Sequence, residues 1–190
     1  MADGVQIGLR DLHYALLTTD DDITIAYGTP EKIAGAINAK ISPKVNTGTL
    51  YADDGPDEVA SALGEITVEI QVKDLPLAVQ AALLGHTLGD DGVLIKNSDD
   101  VAPYVAIGFK SLKSNGKYRY VWLYKGKFQL QEQEYKTQED TPEFQTPTIS
   151  ATFVKRRHDG SWQAIGDEDE TGFTAGATWF NAVYEKPTAE

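Results

Sequence analysis

Apolar and polar positions alternate with a period of two along much of the chain. In EITVEIQVKD, Ile66, Val68, Ile70 and Val72 fall on one side and Thr67, Glu69, Gln71 and Lys73 on the other, the pattern of a strand with one wet face. KYRYVWLYKGKFQL behaves differently: Tyr118, Tyr120, Trp122 and Tyr124 point one way and Arg119, Val121, Leu123 and Lys125 the other, so each side is partly apolar. Such a strand needs cover on both faces, from the protein's own core on one and from a neighbouring molecule or a further layer of the same chain on the other. Turn signals at Asp90-Asp91-Gly92, Asn97-Ser98-Asp99-Asp100, Asn115-Gly116 and Asp159-Gly160 recur at short intervals and mark a mainly β chain. Asn115-Gly116 predicts a type I′ turn between strands at about 105–113 and 117–124, and Asp159-Gly160 a second hairpin within TISATFVKRRHDGSWQAI.

One helix is expected at about 75–84. Asp74 would cap it, Pro76 is tolerated in the first turn, Leu75, Val79, Ala82 and Leu83 form an apolar stripe, and Gly85 stops it. Isolated helices shorter than ~12–15 residues do not hold together in water, so this one must dock on a sheet. The expected fold is therefore mainly β (α+β), a β-sandwich with one flanking helix, as a single domain over 1–190. A strand should begin near Ala36, with Pro43 confining it to an edge or ending it. The tail from Thr171 should pack away from the main core, and the polar segment 131–148 reads as a linker or a long hairpin arm.

A chain of 190 residues is long enough to bury roughly 70% of its unfolded surface in one core. It has no cysteine, which excludes disulfides, thiolate metal sites and thiol nucleophiles together. No apolar run approaches the ~20 residues that span a bilayer, and MADGVQIGLRDL lacks the layout of a signal peptide, so synthesis and maturation in a cytoplasm are expected. A net charge of -12 argues against a sequence-reading nucleic-acid partner, whose affinity would rest on Lys and Arg.

The densest charge lies in LYADDGPDE, where Asp53, Asp54, Asp57 and Glu58 surround a Gly-Pro pair. An EF-hand loop needs Gly sixth and Glu twelfth. Counting from Asp53 puts Gly64 twelfth, and counting from Asp54 puts Pro56 and Val59 at the third and sixth positions, so both registers fail. His13, His86 and His158 are scattered, and the chain contains no G-x-S-x-G elbow and no phosphate-binding glycine loop. Nothing in the spacing selects a pair of carboxylates for acid/base work. No catalytic, cofactor or metal residue is therefore assigned, and an enzyme is not expected. Lys155-Arg156-Arg157 is a short basic run that offers a counterpart for an acidic loop on another subunit.

The succession YGTPEKIAGAINAKISPKVNTGTLYADDGPDE, SALGEITVEIQVKDLP, PYVAIGFKSLKSNGKYRYVWLYKGKF, TPEFQTPTISATFVKR and WFNAVYE closely resembles the major tail (tail tube) proteins of long-tailed phages and prophages of Gram-positive bacteria. The resemblance covers about 8–185 and lies in the number and order of these stretches rather than in any catalytic signature. It implies a tail-tube-type β-sandwich with a flanking helix and long projecting arms. Hexameric rings would stack into a hollow tube around a tape-measure protein, between distal tail and tail terminator proteins, and DNA would later pass through without sequence-specific binding. The chain would be found in the virion tail, and in the host cytoplasm during assembly.

The resemblance further implies an N-terminal arm at about 1–19, a long loop at about 41–64 and a C-terminal arm at about 171–190 that reach adjacent subunits or rings. Tyr51, Asp53, Asp54, Asp57 and Glu58 in the loop, with Lys155 and Arg156, are then the candidate contacts, and Lys110 and Lys113 further partners for the acidic residues. Thr67, Glu69, Gln71 and Lys73 are the candidate lumen lining. The second reading, from a different class, is a carbohydrate- or ligand-binding β-sandwich that uses Tyr118, Tyr120, Trp122 and Tyr124 as a stacking face.

Overall fold

The computed structural model describes residues 4–52, 55–130, 137 and 146–187. The elements are β1 (Gln6–Asp20), β2 (Ile25–Tyr27), β3 (Glu31–Ile33), β4 (Ala36–Ala52), β5 (Gly55–Val72), α1 (Leu77–Leu84), β6 (Thr87–Leu88), β7 (Leu94–Ile95), β8 (Val105–Lys113), β9 (Tyr118–Phe128), β10 (Thr148–Val154), β11 (Gln163–Asp167) and a 3-10 turn, Ala175–Thr178. The fold is mainly β, as the alternation predicts, and is dominated by a large antiparallel sheet. Its strand order is β2-β1-β8-β9-β10-β5-β4, with β3 added to β1 and β11 to β9. β1 and β4 stand far apart in that order yet come back into contact, so the expected sandwich is realised as one sheet curled around its core.

The core takes alternate residues from nearly every strand: Leu12 and Tyr14, Ile33, Val105 and Ile107, Val121 and Leu123, Phe153, and the whole set Ile66, Val68, Ile70 and Val72. Helix α1 closes one side by burying Leu83, with Val79 and Ala82 packed against the same cluster. Asp74 does not cap it. The N-cap position falls on Pro76 without a side-chain bond, and the Asp74 carboxylate instead accepts from the Leu75 N–H at 2.9 Å. Gly85 ends the helix in the left-handed conformation, as expected.

Local geometry departs from the sequence reading at three further places. The turn after β8 is not type I′: only Gly116 has a positive φ, at 82°, while Asn115 does not. The Gly116 N–H donates to the Lys113 carbonyl at 3.0 Å and the Lys113 N–H to the Lys117 carbonyl at 2.8 Å, closing a three-residue loop that needs one left-handed residue rather than two. The hairpin expected at Asp159-Gly160 is not a ladder either. β10 and β11 lie end to end along one edge of β9, pairing Val154 with Lys125 and Gln163 with Leu123, while 155–162 loops out. The eleven-residue edge of β9 satisfies the backbone groups of both segments. The expected N-terminal arm is instead a sheet strand, because β1 pairs with β2, β3 and β8 and sends Leu12 into the core.

β1 carries one irregularity of note. Between Arg10 and His13 its register against β8 slips by a residue, and Asp11 there has φ 52°. The bulge lets both Leu9 and Leu12, three positions apart, face the core. A non-glycine residue in this conformation costs roughly 1–2 kcal/mol, offset here by Lys32 and Lys110, which both bind the Asp11 carboxylate.

Candidate assembly surfaces

The region expected as a loop at 41–64 is a paired ribbon. β4 and β5 stay hydrogen-bonded to each other from Ala36↔Val72 to Ala52↔Gly55. β10 flanks β5 only from Ile66 to Gln71, so 44–52 and 55–65 continue beyond the sheet as a two-stranded arm. At ~3.3 Å per residue, ten residues a strand reach about 30 Å. Opposed residues share a face, which puts Val45/Leu63, Thr47/Ser61 and Thr49/Val59 on one side and Asn46/Ala62, Gly48/Ala60 and Leu50/Glu58 on the other. Val45, Leu50, Val59 and Leu63 are 57%, 58%, 62% and 43% exposed, an aliphatic set left in water. Pro43 sits in β4, at the edge of the sheet, as its missing N–H requires.

Of the acidic candidates, Asp57 and Glu58 are exposed on β5 near the tip. Asp53 and Asp54 lie outside the described residues, as does most of 131–148, and Tyr51 is described only as a backbone member of β4.

Thr67, Glu69 and Gln71 share the outer face of β5, opposite the fully buried Ile66, Val68, Ile70 and Val72, and Lys73 is exposed one residue past the end of the strand. The same face continues across Lys40 and Ser42 on β4, Ser150 and Thr152 on β10 and Lys127 on β9. Lys40 reaches Glu69 at 3.5 Å, and Gln71 donates to the Thr146 hydroxyl at 2.7 Å. The wall is polar and hydroxyl-rich, and its lysines outnumber its one carboxylate in these rows. Glu69 is the single carboxylate in these rows, so most of the chain's acidity resides elsewhere.

The basic candidates divide. Lys155 is exposed. Arg156 is 2% exposed and engaged within its own chain: it binds Asp159 at 3.0 and 2.6 Å and Glu185 at 2.5 Å, and its guanidinium lies 3.8 Å from the centre of the Tyr124 ring. Burial works against its charge, but the bonds to Asp159 and Glu185 outweigh that and hold its pKa above the ordinary value. Asp159 is likewise opposed by burial, yet Arg156 and the Ser161 N–H bring it down to about 2. Lys113 is buried against Asp167 at 2.9 Å and against Asp169, and Lys110 pairs with Asp11 at 2.8 Å. Arg156, Lys110 and Lys113 are thus intramolecular clasps rather than free contacts for another subunit.

The second apolar face of β9 is covered by the chain itself. Tyr120, Trp122 and Tyr124 lie beneath Trp179 and Val183, with Phe173, Phe180 and Tyr184 packed at the margin. Trp122 donates its indole N–H to the Trp179 carbonyl at 3.0 Å and Tyr124 its hydroxyl to the Tyr184 carbonyl at 2.8 Å. His13, turned to this side of β1, stacks on Phe180 at 4.3 Å. Gly108 stands opposite Trp122, where a Cβ would meet the indole at 2.7 Å. The C-terminal segment therefore forms a layer separate from the main core, as its composition suggests, but it lies on its own body. Three of the four aromatic residues considered for sugar stacking are buried under it.

Sequence reasoning missed the Arg156 clasp, the buried Lys113 cluster and the bulge at Asp11. The only hint of the first was the acidic spacing around Arg156, with Asp159 three residues on; Glu185 and Asp167 are too remote in sequence to signal a partner. Among the described residues no group of three or more metal-type ligands gathers, and no helix is long and apolar enough to cross a membrane. No family model matches the chain, and no curated protein matches it.

Proposed function

We propose that the chain is a structural protein that acts by self-assembly, as the tail tube subunit its sequence resembles, with copies forming hexameric rings stacked into a conduit. The observation that carries this is the arm. A two-stranded ribbon with neither face covered is marginal on its own, and among the described residues this one leaves four aliphatic side chains and two strand edges in water. An extended edge of this kind is a template for pairing with another copy, and head-to-tail contacts that close make rings. The polar face around Thr67, Glu69, Gln71 and Lys73 is the proposed lumen lining, since it offers no aromatic platform and no dense charge to arrest a passing polyanion. Tape-measure, distal tail and terminator proteins would be the partners, and the virion tail the location.

The test is negative-stain electron microscopy of concentrated purified protein beside a variant in which 45–63 is replaced by a two-residue turn. Hollow tubes from the full chain and none from the shortened one are expected. Full-length protein that stays monomeric even with its tail initiator and tape measure present would end the proposal.

A further inference from the structure

The arm that needs a partner also carries charge that opposes one. By sequence, 44–65 holds five carboxylates against Lys44, 90–100 holds four against Lys96 and 131–145 holds five against Lys136, which together account for all but one of the twelve net negative charges. The remainder of the chain is close to neutral. Within the arm, Lys44 and Glu65 pair with each other at the base, 3.6 Å apart, so Asp57 and Glu58 near the tip have no cation beside them on the ribbon. Three of the cations that would have suited them on a second copy are engaged at home: Arg156 with Asp159 and Glu185, Lys113 with Asp167 and Asp169, Lys110 with Asp11.

We propose that the acidic end of the arm is an electrostatic brake on self-association, keeping the open edges of separate copies apart until counter-ions screen it. This rests on the assembly reading above and adds its regulation. Charged residues beside an unpaired edge are a known guard against uncontrolled strand pairing. Here the edge must also pair when assembly is due, so the guard has to be one that salt or a cationic partner surface can lift. Unscreened tips feel each other over ~30 Å at 10 mM salt and only ~8 Å at 150 mM.

The experiment follows assembly by light scattering and electron microscopy at 10 and 150 mM NaCl for three proteins: the full chain, a Asp57→Asn/Glu58→Gln variant, and a Asp99→Asn/Glu170→Gln control that removes the same charge from exposed sites off the arm. The full chain and the control should assemble about tenfold or more slowly at the lower salt. The arm variant should assemble faster than both at 10 mM and lose most of its salt dependence. Equal rates and equal salt dependence in all three would overturn the brake, as would acceleration of the control as large as that of the arm variant. Absence of assembly by every protein at every salt would instead overturn the assembly reading, and the brake with it.

Discussion

β9 and the arm are both amphipathic strand structures with apolar residues that one sheet face cannot bury, and the chain treats them in opposite ways. β9 has β8 on one edge, β10 and β11 on the other, the main core beneath Val121 and Leu123, and the C-terminal layer over Tyr120, Trp122 and Tyr124. Among the described residues, the arm has one partner strand and no cover on either face. Cover for β9 comes from 168–187, which has few backbone bonds to the sheet and is pinned by side chains: Trp122, Tyr124, Arg156 and His13. Among the described residues, the arm has no such segment. Apolar surface left open on a ribbon, while equivalent surface next to it is sealed by twenty residues of chain, is the contrast that supports the proposal of cover from another copy.

Substitutions that sharpen this contrast fall in order of expected effect. Trp122→Ala empties a fully buried site and breaks the bond to the Trp179 carbonyl, so a loss of about 3–5 kcal/mol is expected in denaturant unfolding of the monomer. Loss under 1 kcal/mol would mean that the C-terminal layer is not part of the cooperative fold. Arg156→Met should cost about 1–3 kcal/mol, because it removes charged hydrogen bonds to Glu185 and Asp159 while leaving two carboxylates exposed enough to rehydrate. Hydrogen exchange should rise first around Trp179 and Tyr184.

At the bulge, Asp11→Ala keeps a side chain in the left-handed conformation and removes the ion pairs with Lys32 and Lys110 that offset it, so a loss of about 1 kcal/mol is expected. Asp11→Gly loses the same pairs but relieves the left-handed backbone, so it should be more stable than Asp11→Ala by up to about 1–2 kcal/mol, and equal losses would show that this backbone is not strained. Acid acts on the same site. Hydrogen bonds from Lys110 and Lys32 hold the Asp11 carboxyl down to about 2, below its unfolded value near ~3.9. The stability it contributes is therefore complete above about pH 4 and disappears as pH falls toward 2, a slope that Asp11→Asn should flatten in acid unfolding curves. His13 moves the same way at higher pH. Burial lowers its pKa, so the folded state disfavours its protonation and loses stability as pH drops below about 6.5.

The smallest effect on the monomer belongs to the arm. Val59→Thr and Leu63→Thr should change unfolding free energy by less than about 0.5 kcal/mol, since both side chains already face water. Both should slow tube formation in scattering assays. A large loss of monomer stability would show that the arm is already packed, and would dissolve the contrast with β9.

Much of this was readable from residue order alone. The period-two pattern of Ile66, Val68, Ile70 and Val72 allows only one burial, and all four are inside; the two apolar sides of β9 demanded two layers, and two exist. Gly85 ended the helix and Pro43 stayed on an edge, because both restrict the backbone whatever surrounds them. Folding in three dimensions decided what depends on distant partners: that the second layer over β9 is the chain's own tail, that β10 and β11 share one edge, that Arg156 and Lys113 are buried among carboxylates up to 56 residues away, and that 41–64 is a ribbon rather than a loop. A dihedral preference is a property of one residue and travels with the sequence. A contact is a property of two, and which two meet is set only when the whole sheet has closed.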